Sequence, residues 1–305
     1  MQKLKIRKTK EADMKRVTRL IIDSSNALRK AHGLDIARIR VTRPNSFFDH
    51  FRRTDPDGCF SAFEGDRLVG YGSAIIREHE WYLAFLFVTP GRWNRGIGRK
   101  LLDKTIAYGK GNGSTRFSLC TYSYNPDAVA LYSLYGMTPH VPILHLEWTR
   151  DKNRGLKIET DSQPLDETEI KDYEELEPIN KLDRKNRGIA RPEDHKFCID
   201  SDDHHMIAYS KNSKIVGYAS LYRQGLIAPI TATSPEYLRK IINQSISRQL
   251  SAGADKIRLF CAGSSRKTLM YLLSIGLHIG DIDLLLTEKP FGNLKLYLPA
   301  HLAMF

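Results

Sequence analysis

The chain has 305 residues, of which 41% are hydrophobic and 27% are charged, and this is typical of a globular protein with two domains. It contains no run of 18 apolar residues, which excludes a membrane span, and its charged start lacks the apolar segment of a signal peptide. The net charge of +12 lies almost wholly in residues 1–150, which carry 25 Lys and Arg against 14 Asp and Glu. This half is therefore expected to attract an anion, such as a phosphate-bearing cofactor. Nucleic acid is disfavoured, because basic and aromatic residues do not interleave.

The four cysteines lie far apart in the sequence and form no Cys-x-x-Cys pair. This spacing argues against a zinc knuckle and a redox dithiol, and no metal is expected. Cysteines in apolar, strand-like runs usually act as small core residues, so their use predicts a reducing, cytoplasmic setting.

The hydrophobic pattern of the first half predicts an α/β fold on a mixed sheet. In chain order, the predicted elements are a strand at 4–7, helices at 10–30 and near 45–53, a β-hairpin at 59–76, a strand at 81–88, a helix at 97–110, a strand at 115–121, a helix at 126–135 and a strand near 141–149. A turn-like linker at 150–155 predicts two domains, residues 1–150 and 151–305.

The second half repeats this order. Both halves carry Val-Gly-Tyr-x-Ser in a hairpin, at 69–73 and at 216–220, and both end a helix with glycine, at Gly136 and Gly276. The predicted elements are a strand near 156–160, a helix at 166–183, a hairpin at 205–222, a strand at 226–231, a helix at 235–251, a strand at 256–261, a helix at 265–275 and a strand near 281–287.

One loop distinguishes the two halves. Ser73 lies 23 positions before Gly96 at the start of the next helix, whereas Ser220 lies 15 positions before the equivalent Pro235. The repeats are offset by 147 residues at Val69 and Val216 but by 140 residues at Gly136 and Gly276, so the second half has lost about seven residues, mainly from this loop. A duplicated fold that keeps its strands but drops a loop indicates that the loop serves function rather than folding.

The loop of the first half lies in the segment VTPGRWNRGIGRKLL, residues 88–102. It is not a Walker loop, because Ile97 follows the second glycine, and it is not a dinucleotide fingerprint, because Leu101 replaces the third glycine. Gly96 and Gly98 permit a close ligand approach, and the free N–H groups of the following helix point into the loop. Positive charge comes from Arg92, Arg95 and Arg99. The segment therefore predicts a site for a polyphosphate-like anion.

Two motifs resemble those of the GNAT-family N-acetyltransferases. In this family, motif A binds the pyrophosphate of acetyl-coenzyme A. This chain has a similar pattern in Val88, Pro90, Arg95-Gly96-Ile97-Gly98 and Leu101-Leu102. The family's second motif is resembled by NPDAVALYSLYGM, with Asn125, Ala128, Leu131, Tyr132 and Gly136 at its spacing. The resemblance covers residues 1–150 well, and residues 156–305 resemble a degenerate second copy. It implies two tandem GNAT-like domains, each a central mixed sheet flanked by helices.

The resemblance also implies a binding site for acetyl-coenzyme A. The residues that it assigns to this cosubstrate are Phe87, Val88, Arg92, Trp93, Asn94, Arg95, Gly96, Ile97, Gly98, Arg99, Asn125 and Tyr132. Asn125 would contact the pantetheine arm. Trp93 departs from the Gln or Arg that the family usually has three residues before the first loop glycine. We expect the loop to work nonetheless, since backbone N–H groups hold the pyrophosphate, with Arg92 or Arg95 supplying the polar contact.

The implied reaction is acetyl transfer from the thioester to a primary amine by direct attack in a ternary complex. A backbone N–H near Phe87–Val88 is expected to polarise the carbonyl group. Tyr132 occupies the position at which the family has the group that donates a proton or a hydrogen bond to the leaving thiolate. A phenol has a pKa near ~10 and a thiol near ~8.5, so hydrogen bonding describes this role better than full proton transfer.

The acceptor amine must be neutral to attack. A free α-amine with a pKa near ~8 is roughly a tenth neutral at pH 7, whereas a lysine-type amine is less than about a thousandth neutral. A base would help the second type more, and Glu80 is the first candidate, followed by Glu78 and His79.

The sequence therefore predicts a cytoplasmic N-acetyltransferase, an acyltransferase that uses acetyl-coenzyme A and an unspecified amine acceptor. A non-catalytic coenzyme A-binding regulatory protein and an RNA-directed acetyltransferase remain alternatives, and a homodimer stays open. The second copy is predicted to be non-catalytic and to help form the acceptor site. Its loop at 231–238 has no glycine, Leu272 stands where the first copy has Tyr132, and Ser265 stands where it has Asn125.

Overall fold

The computed structural model describes residues 3–35, 47–150, 155–159, 163–290 and 292–305. The described helices are α1 (Met14–Ala31), α2 (Phe47–Thr54), α3 (Ile97–Gly111), α4 (Pro126–Ser133), α5 (Leu176–Asn186), α6 (Pro192–Ile199), α7 (Pro235–Ser251) and α8 (Arg266–Ser274). The described strands are β1 (Leu4–Lys8), β2 (Cys59–Glu64), β3 (Arg67–Arg77), β4 (Glu80–Val88), β5 (Arg116–Tyr122), β6 (Thr138–Thr149), β7 (Asp166–Ile170), β8 (His204–Lys211), β9 (Lys214–Tyr222), β10 (Ile227–Ala232), β11 (Lys256–Ala262), β12 (His278–Thr287) and β13 (Tyr297–Leu298).

The chain divides into two compact units. The first unit contains Met1–Thr138 and Leu286–Lys289, and the second contains Pro139–Leu285 and Pro290–Phe305. Each unit thus includes part of a strand from the other half of the sequence: the first has the end of β12, and the second has nearly all of β6. In the first unit, for example, the Glu288 N–H donates to the Phe117 carbonyl over 3.1 Å. The division at residue 150 remains our proposal for the boundary between the two sequence repeats.

The first unit has a mixed sheet in the order β1-β2-β3-β4-β5. The first four strands are antiparallel, and β4 and β5 are parallel. The β4–β5 pairing covers only Glu80–Leu83 and Arg116–Leu119, although both strands continue beyond it. The two strands therefore separate toward their carboxyl ends. A bulge at Ala84 marks the point of separation, because Ser73 and Ala74 of β3 pair with Phe85 and Leu83.

Helices cover both faces of this sheet. On one face, α1 packs its apolar stripe against Cys59, Phe63 and Tyr71. On the other face, α3 lies close over Gly70, where an added Cβ would come within 2.8 Å of Leu101 Cδ1. The same close approach occurs in the second copy, where a Cβ on Gly217 would overlap Ile241 of α7. The glycine of the repeated Val-Gly-Tyr therefore lets a helix pack directly on the sheet.

The second unit contains the strand order β12-β6-β11 and a five-stranded sheet in the order β13-β10-β9-β8-β7. Its core combines apolar residues of β6 from the first half with those of β8 to β11, α7 and α8, including Leu146, Ile207, Ile241 and Leu259. The sequence pattern predicted most of these elements to within a few residues, and α7 begins and ends at the predicted residues.

Two predictions at the start of the second copy are wrong. Residues 155–159 form no strand, and the predicted helix at 166–183 is strand β7 at Asp166–Ile170, followed by a 3-10 turn and α5. Strand β7 is the edge strand of its sheet and pairs only with β8. Four of its five residues, DETEI, are polar because an edge strand exposes most side chains to water, so it lacks the apolar alternation that signals a strand. Helix α6 and strand β13 were also not predicted.

Two predicted elements reach beyond the residues that the structure describes. The start of the helix near 45–53 and residue 160 of the strand near 156–160 lie outside them, as do residues 151–154 of the linker. Among the described helices, none combines the length and apolar character needed to cross a bilayer.

His204 is buried at the start of β8, and its ring Nδ1 lies 3.1 Å from the Cys198 carbonyl oxygen. Burial, together with the smaller effect of the nearby His195 and His205, lowers the pKa of His204 to about 3. Unfolding returns this pKa to near ~6.5, so the unfolded chain binds a proton more readily. The contribution of His204 to the free energy of unfolding is therefore fully present above pH 6.5 and is lost as the pH falls from 6.5 toward 3.

We predict that the free energy of unfolding decreases between pH 6.5 and pH 4 by up to about 1.4 kcal/mol per pH unit because of His204. The variant His204→Asn, which retains a donor for the Cys198 carbonyl, should lose this part of the slope in urea unfolding series. His205→Asn is the matched control, because His205 is exposed on the same strand and pairs with Glu169. Equal slopes in the wild type and His204→Asn would contradict the prediction.

Candidate functional site

The separated ends of β4 and β5 form an opening at one edge of the first sheet, and α1 connects its two sides. The Ser24 hydroxyl donates to the Val88 carbonyl at the end of β4 over 3.1 Å. The Ser25 hydroxyl lies 3.4 Å from the Tyr122 hydroxyl at the end of β5. Both serines are buried.

The backbone of Val88 faces this opening. The N–H of the next residue, Thr89, donates to the Val69 carbonyl of β3 over 2.9 Å. Because successive residues of a strand direct their backbone groups to opposite sides, the N–H and C=O of Val88 point away from β3. The carbonyl accepts hydrogen bonds from Ser24 and from the Trp93 indole N–H, the latter over 2.8 Å. The N–H is directed into the opening, at the position that the sequence predicts for polarising a carbonyl.

The loop after β4 leads to an uncapped helix start. Gly96, the N-cap residue of α3, has a φ of 74° and makes no side-chain hydrogen bond to the first turn. The first N–H groups of α3 therefore lack a side-chain acceptor and can bind an external anion. A Cβ on Gly91 or on Gly96 would have no heavy atom within 4 Å, so both glycines border open space.

The predicted loop side chains have different surroundings. Arg92 is half-buried and donates to Glu64 over 2.8 Å, so it is already held by a carboxylate. Trp93 turns back onto Val88, and Asn94 is exposed with a φ of 60°. Arg95 is exposed and has no ion pair within the described ranges. Of the two arginines expected to replace the missing Gln or Arg, the geometry favours Arg95.

Helix α4 brings the second motif to the same place. A Cβ on Gly98 would lie 3.8 Å from Val88 Cγ2 and 4.0 Å from Leu131 Cδ2, so α4 flanks the start of α3. Asn125 caps α4, since its side-chain oxygen accepts the Ala128 N–H over 3.2 Å. Its amide nitrogen keeps two hydrogens with which it can donate to a ligand.

Tyr132 differs from the other buried tyrosines of the first unit. Its side chain is only 5% exposed, and its hydroxyl has no hydrogen-bond partner in the part of the chain that the structure describes. By contrast, the Tyr82 hydroxyl accepts the Cys120 N–H over 3.1 Å, and the Tyr71 hydroxyl donates to the Cys59 sulfur over 3.8 Å. Burial raises the pKa of Tyr132. The ring is enclosed, but the hydroxyl oxygen itself is not sealed from solvent, so it borders space that a ligand can enter, and this favours a ligand-binding role over a core role.

Glu80 is not brought to this site. It is 1% exposed, accepts hydrogen bonds from Arg116 over 3.0 Å and from Ser118 over 2.5 Å, and begins β4 at the end where β4 and β5 are paired. Seven residues separate it from Phe87, or roughly 23 Å at about 3.3 Å per residue. We therefore assign Glu80 a structural role. Glu78 and His79 lie in the turn at the same distant end.

A group of polar and aromatic residues beside the opening was not predicted from the sequence. The rings of Tyr122 and Tyr124 stack with centroids 5.1 Å apart, and Arg29 of α1 donates to the Tyr124 hydroxyl over 3.5 Å. Ser24 and Ser25 continue the buried stripe of Val17, Leu20 and Ile21 along α1. Hydroxyl groups at core positions of an amphipathic helix could have indicated this role.

The wall formed by β4 is aromatic. Phe85 contacts Phe48 and Phe51 of α2, with ring centroids 4.8 and 5.9 Å apart, and it also contacts Phe87 at 6.3 Å. These rings give one side of the opening an apolar surface next to the hydroxyl group of Tyr122.

The second copy lacks the corresponding features. The strand register pairs Gly217 with Ala232, as it pairs Gly70 with Val88, so Ala232 is the equivalent of Val88. Its next helix, α7, is capped by Ser234, whose hydroxyl accepts the Tyr237 N–H over 3.2 Å. Leu272, at the position of Tyr132, is fully buried.

Residues 27–137 match the family model described as the acetyltransferase (GNAT) family. Thialysine N-epsilon-acetyltransferase of Mus musculus is 26% identical over 145 residues, which cover 45% of this chain and 85% of that protein. The enzyme of the same name from Sus scrofa is 31% identical over 78 residues, which cover 24% of this chain and 46% of the relative.

Solved structures share the fold of the whole chain. A candidate acetyltransferase of Pyrococcus horikoshii matches with a TM-score of 0.77 at 16% identity, covering 100% of this chain and 97% of that one. A tandem GNAT protein from the clavulanic acid biosynthesis pathway matches with a TM-score of 0.62 at 14% identity, covering 94% and 99%. Residues 27–137 therefore belong to the GNAT family of acetyltransferases, and the whole chain has the fold of tandem GNAT proteins.

Proposed function

We propose that the first unit is an acetyl-coenzyme A-dependent N-acetyltransferase that acts on a primary amine by direct attack in a ternary complex. The observation that carries this proposal is the uncapped start of α3, which is flanked by α4, the helix that carries Tyr132. Family membership supports acetyl transfer in general, and the local geometry assigns the roles.

The loop residues suit the coenzyme. The N–H groups at the start of α3 would hold the pyrophosphate, and Gly96 and Gly98 leave space for its approach. Arg95 would add a positive charge from solvent. Asn125 would donate its amide hydrogens to the pantetheine arm while it continues to cap α4. The remaining loop residues, Arg92 and Trp93, hold the loop to β2 and β4 through Glu64 and Val88.

When bound, acetyl-coenzyme A supplies the acetyl thioester. The Val88 N–H would donate to the thioester oxygen and stabilise the negative charge that develops there. The Tyr132 hydroxyl would donate to the sulfur as the carbon–sulfur bond breaks. Because burial raises the pKa of Tyr132, proton transfer from this phenol to a thiolate is unfavourable, and hydrogen bonding is the role that its environment supports.

The acceptor would enter between α1, α2 and the end of β5, where Phe85 and Tyr122 lie. With Glu80 held at the distant end, we propose that the amine loses its proton to water before attack. The neutral fraction of a lysine-type amine then rises about tenfold per pH unit below its pKa. The names of the mouse and pig relatives support a side-chain amine of an amino acid as the acceptor class.

An acceptor screen tests the proposal directly. The full chain would be incubated with acetyl-coenzyme A and a panel of α-amines, lysine-type amines, polyamines and peptides, and free thiol would be recorded with the acetylated product. Acceptor-dependent thiol release with matching product is expected. Tight coenzyme binding without turnover for every amine would favour a non-catalytic binding protein.

The variant Gly96→Val is predicted to reduce acetyl-coenzyme A affinity by at least about tenfold, because a β-branched residue resists a φ of 74° and places methyl groups over the helix start. Calorimetry would measure the affinity, and circular dichroism would check the fold. Gly113→Val is the matched control, since Gly113 also has a φ of 74° and open surroundings but follows the other end of α3. Unchanged affinity in a folded Gly96→Val would show that the loop is not the site.

Tyr132→Phe is predicted to lower kcat by about ten- to a hundredfold while changing coenzyme affinity less than threefold, because the hydroxyl acts mainly as the thiolate forms. Tyr135→Phe is the control, since its hydroxyl bonds to Asp103. Single-turnover measurements would ensure that chemistry limits the rate. If Tyr132→Phe matched the wild type, Tyr132 would be a core residue.

A further inference from the structure

The C-terminal segment of the chain lies on β10 of the second unit. Strand β13 pairs antiparallel with β10, with Ile230 opposite Leu298 and Thr231 opposite Tyr297. Side chains of this segment are deeply buried, and Tyr297, Leu298 and Phe305 have no exposed area.

This segment contacts the backbone group that corresponds to the Val88 N–H. The Thr233 N–H donates to the Val216 carbonyl over 2.7 Å, as Thr89 does to Val69 in the first unit. The N–H of Ala232 therefore points away from β9, as that of Val88 points away from β3. It donates to the Leu296 carbonyl over 3.2 Å.

A second contact involves the residue that corresponds to Asn125. Ser265 precedes α8 but makes no side-chain hydrogen bond to that helix. Its hydroxyl instead donates to the Leu294 carbonyl over 2.5 Å. The positions that we assign to the thioester oxygen and to the pantetheine arm in the first unit thus both bind backbone carbonyls of one short segment, two residues apart.

The end of the chain is held by buried charged groups. Arg187 donates to the Phe305 carbonyl over 2.7 Å, and Arg191 donates to the Met304 carbonyl over 2.9 Å. Asp183 fixes Arg191 through an ion pair of 3.1 Å. Although desolvation favours its neutral form, the charge of Arg191 and the hydrogen bonds from His195 and Tyr218 outweigh it and hold the pKa of Asp183 at about 2. The ion pair between Asp183 and Arg191 is therefore charged at neutral pH.

We propose that residues 293–298 fill, in the second unit, the groove that the pantetheine arm occupies in the first. This segment of the chain thereby blocks the ligand groove of the second copy. This inference rests on the proposed function for the position of the arm. Pantetheine is a short chain with two amide groups, so a peptide offers carbonyl acceptors of the same kind. A covalently attached occupant has a high effective concentration and excludes a free ligand that binds the same groove.

Amide hydrogen exchange on the full chain tests the proposal. The double variant Ser265→Ala/Leu298→Ala removes one hydrogen bond and one buried side chain of the segment, and the single variant Ser265→Ala is used if the double variant does not fold. We expect exchange of the Ala232 amide and of residues 295–298 to accelerate together, by at least about tenfold in the double variant and several-fold in the single variant. Ser274→Ala is the control, because its hydroxyl bonds to Tyr271 on the exposed side of the same helix.

S-acetylpantetheine, which carries the thioester together with the pantetheine arm, is the probe for the opened groove. In the variants, this probe at millimolar concentration should slow exchange of the Ala232 amide while residues 295–298 still exchange rapidly, whereas exchange in the wild type should not change. An Ala232 amide that exchanges independently of the segment, or whose exchange in the variants does not respond to S-acetylpantetheine, would overturn the proposal. These readouts lie in the second unit, so an inactive first unit would refute the proposed function without changing them.

Discussion

The separation of β4 from β5 is the constraint on which the rest of the first unit depends. Parallel pairing ends at Leu83 and Leu119, and the strand ends beyond it lack a neighbour on one side. Backbone groups at such an edge need other partners, because an unpaired buried N–H or C=O costs as much as a lost hydrogen bond. Ser24 and Trp93 satisfy the Val88 carbonyl, while its N–H is directed to where a ligand would lie.

The two copies meet the same constraint in different ways. In the first, the glycine loop and the uncapped start of α3 border the opening, where we propose that the anionic coenzyme binds. In the second, Ser234 caps α7 and the loop is short, while the Ala232 N–H bonds to the C-terminal segment. A duplicated fold can therefore retain its strand opening after losing a binding loop, provided that another part of the chain satisfies the exposed backbone.

The sequence predicted the features that depend on local pattern. The glycine spacing around Gly96, the amphipathic helices and the position of Tyr132 all follow from neighbouring residues. Features that depend on distant partners were not predictable. In the sequence, Glu80 resembles a solvated strand end, because its partners Arg116 and Ser118 lie far away along the chain. Arg92 likewise resembles a phosphate ligand, because its partner Glu64 is distant in sequence. Strand β13 has two residues and exists only because β10 offers it an edge, so no local pattern marks it.

The stoichiometry of acetyl-coenzyme A binding to the full chain tests the central claim most directly, because the account assigns the coenzyme to the first copy alone. Isothermal titration calorimetry should give one site per chain and no second site at higher concentrations. Two sites per chain, with the second surviving disruption of the Gly96 loop, would contradict the account.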